Sequence, residues 1–251
     1  MYYGLYLSAA GAHSQSQKLE VLSNNLANVD TVGFKKELAL LEASDSESIQ
    51  QGLDARGSRS LNDVGGGVEM NHTATDYRVG TLRSTGIPTD FALENPNAFF
   101  VAQRGEEQLL TRAGNFHLSA DGMLLTTNND QVLTSDGDPI QLDATLPWRL
   151  LPGGMIEQAG DQIELALMRP KNLAELQKVG DNFFRSPGRS VAPVPPEERN
   201  VRAGYLELSS VNPVEEMVEL ITASRAYEAN VRVIQQHDTA TSGLIGRLLR
   251  A

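Results

Sequence analysis

The chain has no cysteine, which removes disulfide staples, thiolate metal sites and cysteine nucleophiles together and leaves the redox compartment open. Clustered basic charge is also missing: 21 Lys and Arg stand against 32 Asp and Glu, for a formal net charge of -11. Affinity for phosphates comes mainly from grouped cations, so no nucleic-acid partner is expected. No apolar run approaches the roughly 20 residues that a spanning helix needs, so no membrane insertion is expected either. The opening Met1-Tyr-Tyr-Gly-Leu-Tyr-Leu-Ser-Ala-Ala has no basic start and passes directly into Gly11, Ala12, His13 and Ser14. It therefore does not read as a cleavable secretory signal.

Motifs that carry chemistry are equally scarce. His13, His72, His117 and His237 are scattered, without a pair at helical metal-binding spacing, and no Gly-x-Ser-x-Gly nucleophile elbow occurs. Gly65-Gly66-Gly67 is not followed by the Gly-Lys-Ser or Gly-Lys-Thr of a phosphate loop. Asn128, Asn129, Asp130, Asp136 and Asp138 crowd two adjacent turns, but neither their spacing nor a closing Glu fits a calcium loop. The expectation is a protein that is not an enzyme, with no catalytic residue, no cofactor, no metal and no small-molecule substrate.

What is present lies first at the two ends. From Met217 an alternation of three and four residues picks out Met217, Leu220, Ser224, Tyr227, Val231, Ile234, Asp238, Thr241, Ile245 and Leu248. A spacing of 3.5 residues held this long keeps one narrow stripe facing a partner helix, the pattern of a coiled-coil seam. Polar Asp238 and Thr241 can set register and partner number. Asn212 suits the N-cap, Pro213 the first helical position, and Glu215 and Glu216 the positive helix end. At the other terminus Leu5, Ala12, Leu19 and Leu26 recur every seven residues, joined by Leu22 and Val29. Ser23, Asn24, Asn25 and Asn28 gather toward the end of this helix, and Asp30 with Gly33 supplies the stop.

Between the ends the pattern changes. The stretch from Ala43 to Gly67 is rich in Ser, Asp, Glu and Gly and reads as a linker without fixed structure. From Val68, short runs such as Phe99-Phe100-Val101, Gln108 to Thr111, Met123 to Thr126 and Gln131 to Leu133 are separated by Arg104-Gly105, Asp121-Gly122 and Asp136-Gly137. Short strands joined by such turns predict an antiparallel β domain. The region continues past Trp148, expected in the core, through a strand over Ile163 to Met168, to a loop over Val191 to Glu198, whose three prolines exclude it from a central strand. The expected fold is therefore α+β: long terminal helices pairing as a coiled coil, with a central antiparallel β-rich domain. Its divisions are residues 1–34 for the first helix, 35–67 for the linker, 68–208 for the β domain and 209–251 for the last helix.

Three ordered segments add a resemblance. Ser23-Asn24-Asn25-Leu26-Ala27-Asn28-Val29-Asp30-Thr31-Val32-Gly33-Phe34-Lys35 resembles the amino-terminal signature of the bacterial flagellar rod and hook family. Gly80 to Leu93, Phe99-Phe100-Val101 and Thr111 to Gly122 are similar to its central β domain, and Ser209 to Asn230 to its carboxyl-terminal helix. Glu94-Asn95-Pro96-Asn97-Ala98 stands where the family often has a glycine-rich turn. Length and the single central domain resemble the rod subunits, with Gly4-Leu-Tyr-Leu-Ser-Ala-Ala-Gly most similar to the proximal-rod type and the distal-rod type next.

The resemblance implies a structural subunit of the flagellar basal-body rod, needed for motility and self-assembling into a helical tube with other rod and hook-family subunits. It implies a periplasm-spanning location, with export through the flagellum's own channel and without a cleavable signal. Seam packing then falls to Leu19, Leu22, Leu26, Met217, Leu220, Tyr227, Val231, Ile234, Ile245 and Leu248, and the amino-terminal motif to Asn24, Asn25, Asn28, Gly33 and Phe34. Two other classes fit parts of the pattern. One is a coiled-coil surface adhesin or binding protein with a β head, forming a closed oligomer. The other is a carbohydrate-active enzyme, which requires paired carboxylates in a cleft of the β domain.

Overall fold

The computed structural model describes residues 3–55, 57–58 and 65–248, without the side chains of Glu47, Arg189, Arg247 and Leu248. The chain divides into two compact units, the first made of Met1–Ala27, Glu37–Ala74 and Asn212–Ala251, the second of Asn28–Lys36 and Thr75–Val211.

The first unit is built on α1 (Tyr3–Ala27) and α3 (Pro213–Leu248), with β1 (Glu37–Ser44), β2 (Gly67–Thr75) and the one-turn α2 (Glu47–Gln50). Asn212 caps α3 as its composition predicts: its Oδ1 accepts from the Val214 amide at 3.2 Å, its carbonyl accepts from Glu216 at 3.0 Å, and Pro213 takes the first helical position. α1 and α3 pack side by side and run antiparallel. Gly4 approaches His237, Gly11 approaches Asn230, Lys18 pairs with Glu219 at 3.5 Å and Asn25 bonds Glu216 at 3.4 Å. Gly4 and Gly11 let α1 come close to α3: a Cβ at Gly4 would lie 3.5 Å from the His237 ring and one at Gly11 3.1 Å from the Asn230 side-chain amide. β1 and β2 form a two-stranded ribbon, tied to α1 where the Ser14 hydroxyl donates to the Val68 carbonyl. β1 and α2 thus lie inside the 35–67 division expected as a linker, β1 reaching the Ser-, Asp-, Glu- and Gly-rich stretch from Ala43 only with its last two residues; residues 56 and 59–64 are outside the described ones.

The second unit is built on antiparallel strands, with short 3-10 turns at Leu173–Glu175, Pro187–Arg189 and Pro196–Glu198. In chain order its strands are β3 (Leu82–Ser84), β4 (Phe91–Leu93), β5 (Phe99–Arg104), β6 (Glu107–Thr111), β7 (His117–Leu118), β8 (Leu124–Leu125), β9 (Gln131–Val132), β10 (Trp148–Leu151), β11 (Met155–Gln158) and β12 (Asp161–Glu164). There follow β13 (Leu167–Pro170), β14 (Gln177–Gly180), β15 (Phe183–Arg185), β16 (Val191–Pro193), β17 (Val201–Ala203) and β18 (Tyr205–Glu207). The main sheet runs β14-β15-β6-β5-β9-β8-β7, with β13 also on β5 and β16 on β13. β5 and β6 close as a hairpin with Arg104 opposite Glu107. Gly105, at φ 62, supplies the left-handed turn residue.

Two details differ from the expectations. The Ile163 to Met168 run is broken into β12 and β13. The proline-rich Val191 stretch includes a strand, β16, which among the described residues pairs with β13 alone and so sits at an edge where proline does not interrupt a ladder. The core is aromatic: Phe91, Phe100 and Phe116 meet edge to face with centroids 5.1–5.8 Å apart, and Trp148 stands edge-on to Phe91 at 6.2 Å.

Candidate functional site

Three of the five motif residues, Asn28, Gly33 and Phe34, lie on the excursion the chain makes between α1 and β1. Asn25, fully buried at the end of α1, places its amide across the backbone of Glu37. Its Nδ2 donates to the Glu37 carbonyl at 2.8 Å, and its Oδ1 accepts from the Glu37 amide at 2.9 Å. The same Nδ2 reaches the Glu216 carboxylate of α3 at 3.4 Å, and Glu216 is also buried. One side chain therefore joins the end of the first helix, the start of β1 and the first turn of the last helix. Asn24 is exposed. Asn28 turns the chain, its carbonyl accepting from the Thr31 amide at 3.2 Å and its Oδ1 from the Thr31 hydroxyl at 3.1 Å.

Residues 28–36 belong to the second unit. Gly33 donates its amide to the Glu207 carbonyl at 2.7 Å and holds φ at +66, and a Cβ there would lie 2.5 Å from the Arg112 carbonyl carbon. Only glycine meets both conditions. The Phe34 ring is buried, with the Lys178 ammonium 4.7 Å from its centroid.

Lys35, next in line, leads to a group of charges that the sequence did not announce. Its Nζ donates to Glu207 Oε1 at 2.6 Å and to the Arg78 carbonyl at 2.7 Å. Arg112 Nε donates to Glu207 Oε2 at 2.9 Å, and its other nitrogens donate to the carbonyls of Leu93, Asn95 and Ala98. The Gly80 amide adds a donor to Glu207 Oε1 at 2.9 Å. The side chains of Lys35 and Arg112 are 0% exposed and that of Glu207 is 1% exposed. Two cations on one carboxylate leave an excess positive charge in a buried site, and the backbone carbonyls around it disperse that charge. Burial pushes the Lys35 ammonium below its ordinary range, and the neighbouring Arg112 charge adds to the shift, while Glu207 opposes it. Burial likewise lowers Arg112, opposed by Glu207. Charged residues default to the surface, and Lys35 and Glu207 are 172 positions apart, so no local pattern pairs them.

The residues of the seam expectation are distributed unevenly. Leu22 is buried; Leu19, Leu26, Leu220, Val231 and Ile234 are half-buried; Met217, Tyr227 and Ile245 are exposed. The Leu248 side chain lies outside the described residues. The buried residues of α3 are Glu216 and Ala223, flanked by half-buried Leu220, Ala226, Asn230 and His237.

In the second unit an open groove of about 600 Å³ lies beside β5, β6 and β15, with Arg104, Glu106, Glu107 and Arg185 among its lining. Glu107 is engaged by Arg185, whose Nη2 donates to Oε2 at 2.7 Å, and this bond holds the Glu107 carboxyl below its usual range. A general acid for glycoside cleavage needs the opposite shift. Among the described residues no group of three His, Asp or Glu is arranged to hold a metal ion.

Known proteins match along most of the chain. A family model described as flagella basal body rod protein matches residues 5–35, and one described as flagellar basal body rod FlgEFG protein C-terminal matches residues 202–244. Lys35 and Glu207, the two ends of the buried ion pair, thus fall in separate matched segments. A flagellar basal-body rod protein FlgG of Agrobacterium fabrum is 32% identical, covering 95% of this chain and 96% of its own. The FlgG protein of Borreliella burgdorferi is 30% identical over 95% and 96%, and the flagellar basal-body rod protein FlgF of Caulobacter vibrioides is 28% identical over 97% of both chains.

Proposed function

The chain belongs to the flagellar basal-body rod protein family and is a structural subunit of that rod, and from this premise we propose how it assembles. α1 and α3 act together as a coiled-coil pair, and neighbouring subunits, copies of this chain or other rod and hook-family members, cover what the pair leaves exposed. The observation that carries the reading is that α3 buries Glu216 and Ala223 while leaving Val214, Met217, Val218, Ile221, Leu244 and Ile245 exposed. Large apolar side chains grouped on a helix mark a surface that another molecule covers. A surface repeated on every copy, and not self-complementary, builds an open helical array. The seam residues Leu19, Leu22, Leu26, Leu220, Val231 and Ile234 belong to the pairing within a subunit, and Met217, Tyr227 and Ile245 to contacts between subunits. Asn24 is then a contact between subunits, and Asn25, Asn28, Gly33 and Phe34 hold the chain's path between the helix pair and the β domain.

The division of labour is accordingly residues 1–34 and 209–251 for assembly, with 35–67 and the β domain of 68–208 making up the rest of the subunit. The subunit stands in the periplasm-spanning part of the basal body. Sedimentation of the full chain across concentration tests the assembly. Open-ended, polydisperse species that the Met217→Asp, Ile221→Asp double variant abolishes are expected. A closed oligomer of fixed size would instead favour the adhesin or binding-protein reading.

A further inference from the structure

Residues 28–36 follow α1 directly and run directly into β1, yet they belong to the second unit and are bonded to it along their length. The Val32 carbonyl accepts from Asn182 Nδ2 at 2.5 Å, and the Gly33 amide donates to the Glu207 carbonyl at 2.7 Å. The Phe34 carbonyl accepts from the Ser210 amide at 3.0 Å, and the Lys35 carbonyl from Lys178 Nζ at 2.8 Å. Lys36 donates its amide to the Ser210 hydroxyl at 2.9 Å, and its carbonyl accepts from the Asp76 amide at 2.9 Å. Phe34 and Lys35 are buried as anchors. Main-chain bonds along an extended stretch, with side chains seated at intervals, are how a groove holds a peptide.

The β domain's own framework is built without this segment. Among the described residues no strand of the second unit pairs with 28–36, and none of the three apolar clusters that fill the domain draws a residue from it. The ion cluster shows the same asymmetry. Arg112 and Glu207 alone form a one-to-one pair, and closing the segment brings Lys35 in as a second cation on one carboxylate. Ladders, apolar core and charge balance are therefore all complete with the segment away, and what it adds is its own row of bonds.

We propose that Asn28–Lys36 is a strap with two positions, closed as seen here and open with the β domain still folded. Opening turns the link between α1 and β1 from a fixed path into an unrestrained one, so the strap sets whether that link is rigid. It is a cooperative opening of lower free energy than unfolding of the domain it lies on.

Lys35 reports the opening, because its side chain is 0% exposed while the strap is closed, whereas that of Lys18 is 31% exposed. The dilute full chain is treated with an amine-acetylating N-hydroxysuccinimide ester across a urea series, and each lysine is read by mass spectrometry. The lone Trp148, packed on the β-domain core, reports by fluorescence whether that domain is folded. Lys35 is expected to acetylate more slowly than Lys18, at urea concentrations where the Trp148 signal is fully native. Its rate should be nearly flat in urea there, since opening a strap exposes little surface. Ser210→Ala removes one bond to the strap, and Lys178→Met removes another together with the charge over the Phe34 ring. Each should speed Lys35 acetylation by about threefold to tenfold, the equivalent of one hydrogen bond, and leave the Trp148 midpoint in place. Acetylation of Lys35 that begins only as the Trp148 signal is lost would overturn the strap. So would variants that move both readouts together, because segment and domain would then unfold as one.

Discussion

The Asn25 amide satisfies both backbone groups of Glu37, donating to its carbonyl at 2.8 Å and accepting from its amide at 2.9 Å. The side chain does for Glu37 what a neighbouring strand would do, and it does so in a fully buried position beside the Glu216 carboxylate. Asn25→Ala leaves those groups without partners and is expected to cost about 2–4 kcal/mol in urea unfolding. Asn25→Asp is nearly the same shape but turns a donor into an anion next to Glu216. It should be the worse variant at neutral pH and recover relative to Asn25→Ala as the pH falls and one carboxyl of the pair takes up a proton.

Glu207 neutralises two buried cations at once. Glu207→Gln strands both and should destabilise the chain by about 3–5 kcal/mol, since an uncompensated buried charge costs far more than the pair contributes. Lys35→Met alone removes the excess charge and leaves Arg112 with Glu207 in a one-to-one pair, so its cost should be well below that of Glu207→Gln. The double variant should cost less than the sum of the singles, and a double-mutant cycle by chemical denaturation measures the coupling. Additive costs would show that the two residues act separately.

Gly33 and Gly52 share a left-handed backbone, at φ +66 and +72, but differ in surroundings. A Cβ at Gly33 would meet the Arg112 backbone at 2.5 Å, whereas nothing lies within 4 Å at Gly52. Gly52→Ala should therefore cost only the conformational term, about 1 kcal/mol. Gly33→Ala adds a clash that backbone cannot yield to, and should exceed it by about 2 kcal/mol or more. Equal losses in thermal unfolding would place the whole effect in the dihedral angle.

Much of the architecture is legible in the chain because its signals are local. Asn212-Pro213 marks the start of α3 within two residues, and Gly105 marks the β5–β6 turn at the position where a left-handed residue is needed. What escapes the sequence is long-range or contrary to type. Lys35, Arg112 and Glu207 look like three ordinary surface charges until the fold brings positions 35, 112 and 207 together in a buried cluster. Glu216 likewise reads as a first-turn acidic residue suited to the helix dipole, and it is buried against Asn25. The motif around Asn25 could be recognised, but its bonds to Glu37 could not, since they depend on the chain leaving α1, entering the second unit for residues 28–36 and returning. β1 is hidden for a related reason: a strand with exposed leucines and glutamates has no clean alternation to reveal it.

Asp76 offers a pH-dependent contrast. The Arg78 guanidinium bonded to Asp76 holds its carboxyl below the usual range, against an opposing effect of burial. A carboxyl whose folded value is depressed contributes stability above its unfolded value near 3.8, and that contribution disappears as the pH falls through the folded value. Asp76→Asn should accordingly be less stable than the parent chain at pH 6, with the difference closing toward pH 2. Because Arg78 is largely exposed, the difference at pH 6 should be small and should shrink further in high salt. Urea midpoints at the two pH values and two ionic strengths decide it.

Gly11 sets how closely α1 and α3 approach, and two substitutions there have opposite expected signs. A Cβ would stand 3.1–3.4 Å from the Asn230 side-chain amide, tight but against the movable end of a side chain rather than backbone. Replacing a mid-helix glycine with alanine favours the helix by about 1 kcal/mol. Gly11→Ala should thus leave stability unchanged or raised, with Asn230 shifting by a few tenths of an ångström. Gly11→Leu also improves helix propensity, yet its side chain needs volume that the pair does not have, and overpacking of this kind costs about 1–3 kcal/mol. The helical circular-dichroism signal followed through urea should show the leucine variant melting early and the alanine variant at or above the parent. Should both melt early, the two backbones would be packed more tightly around Gly11 than a mobile Asn230 can relieve.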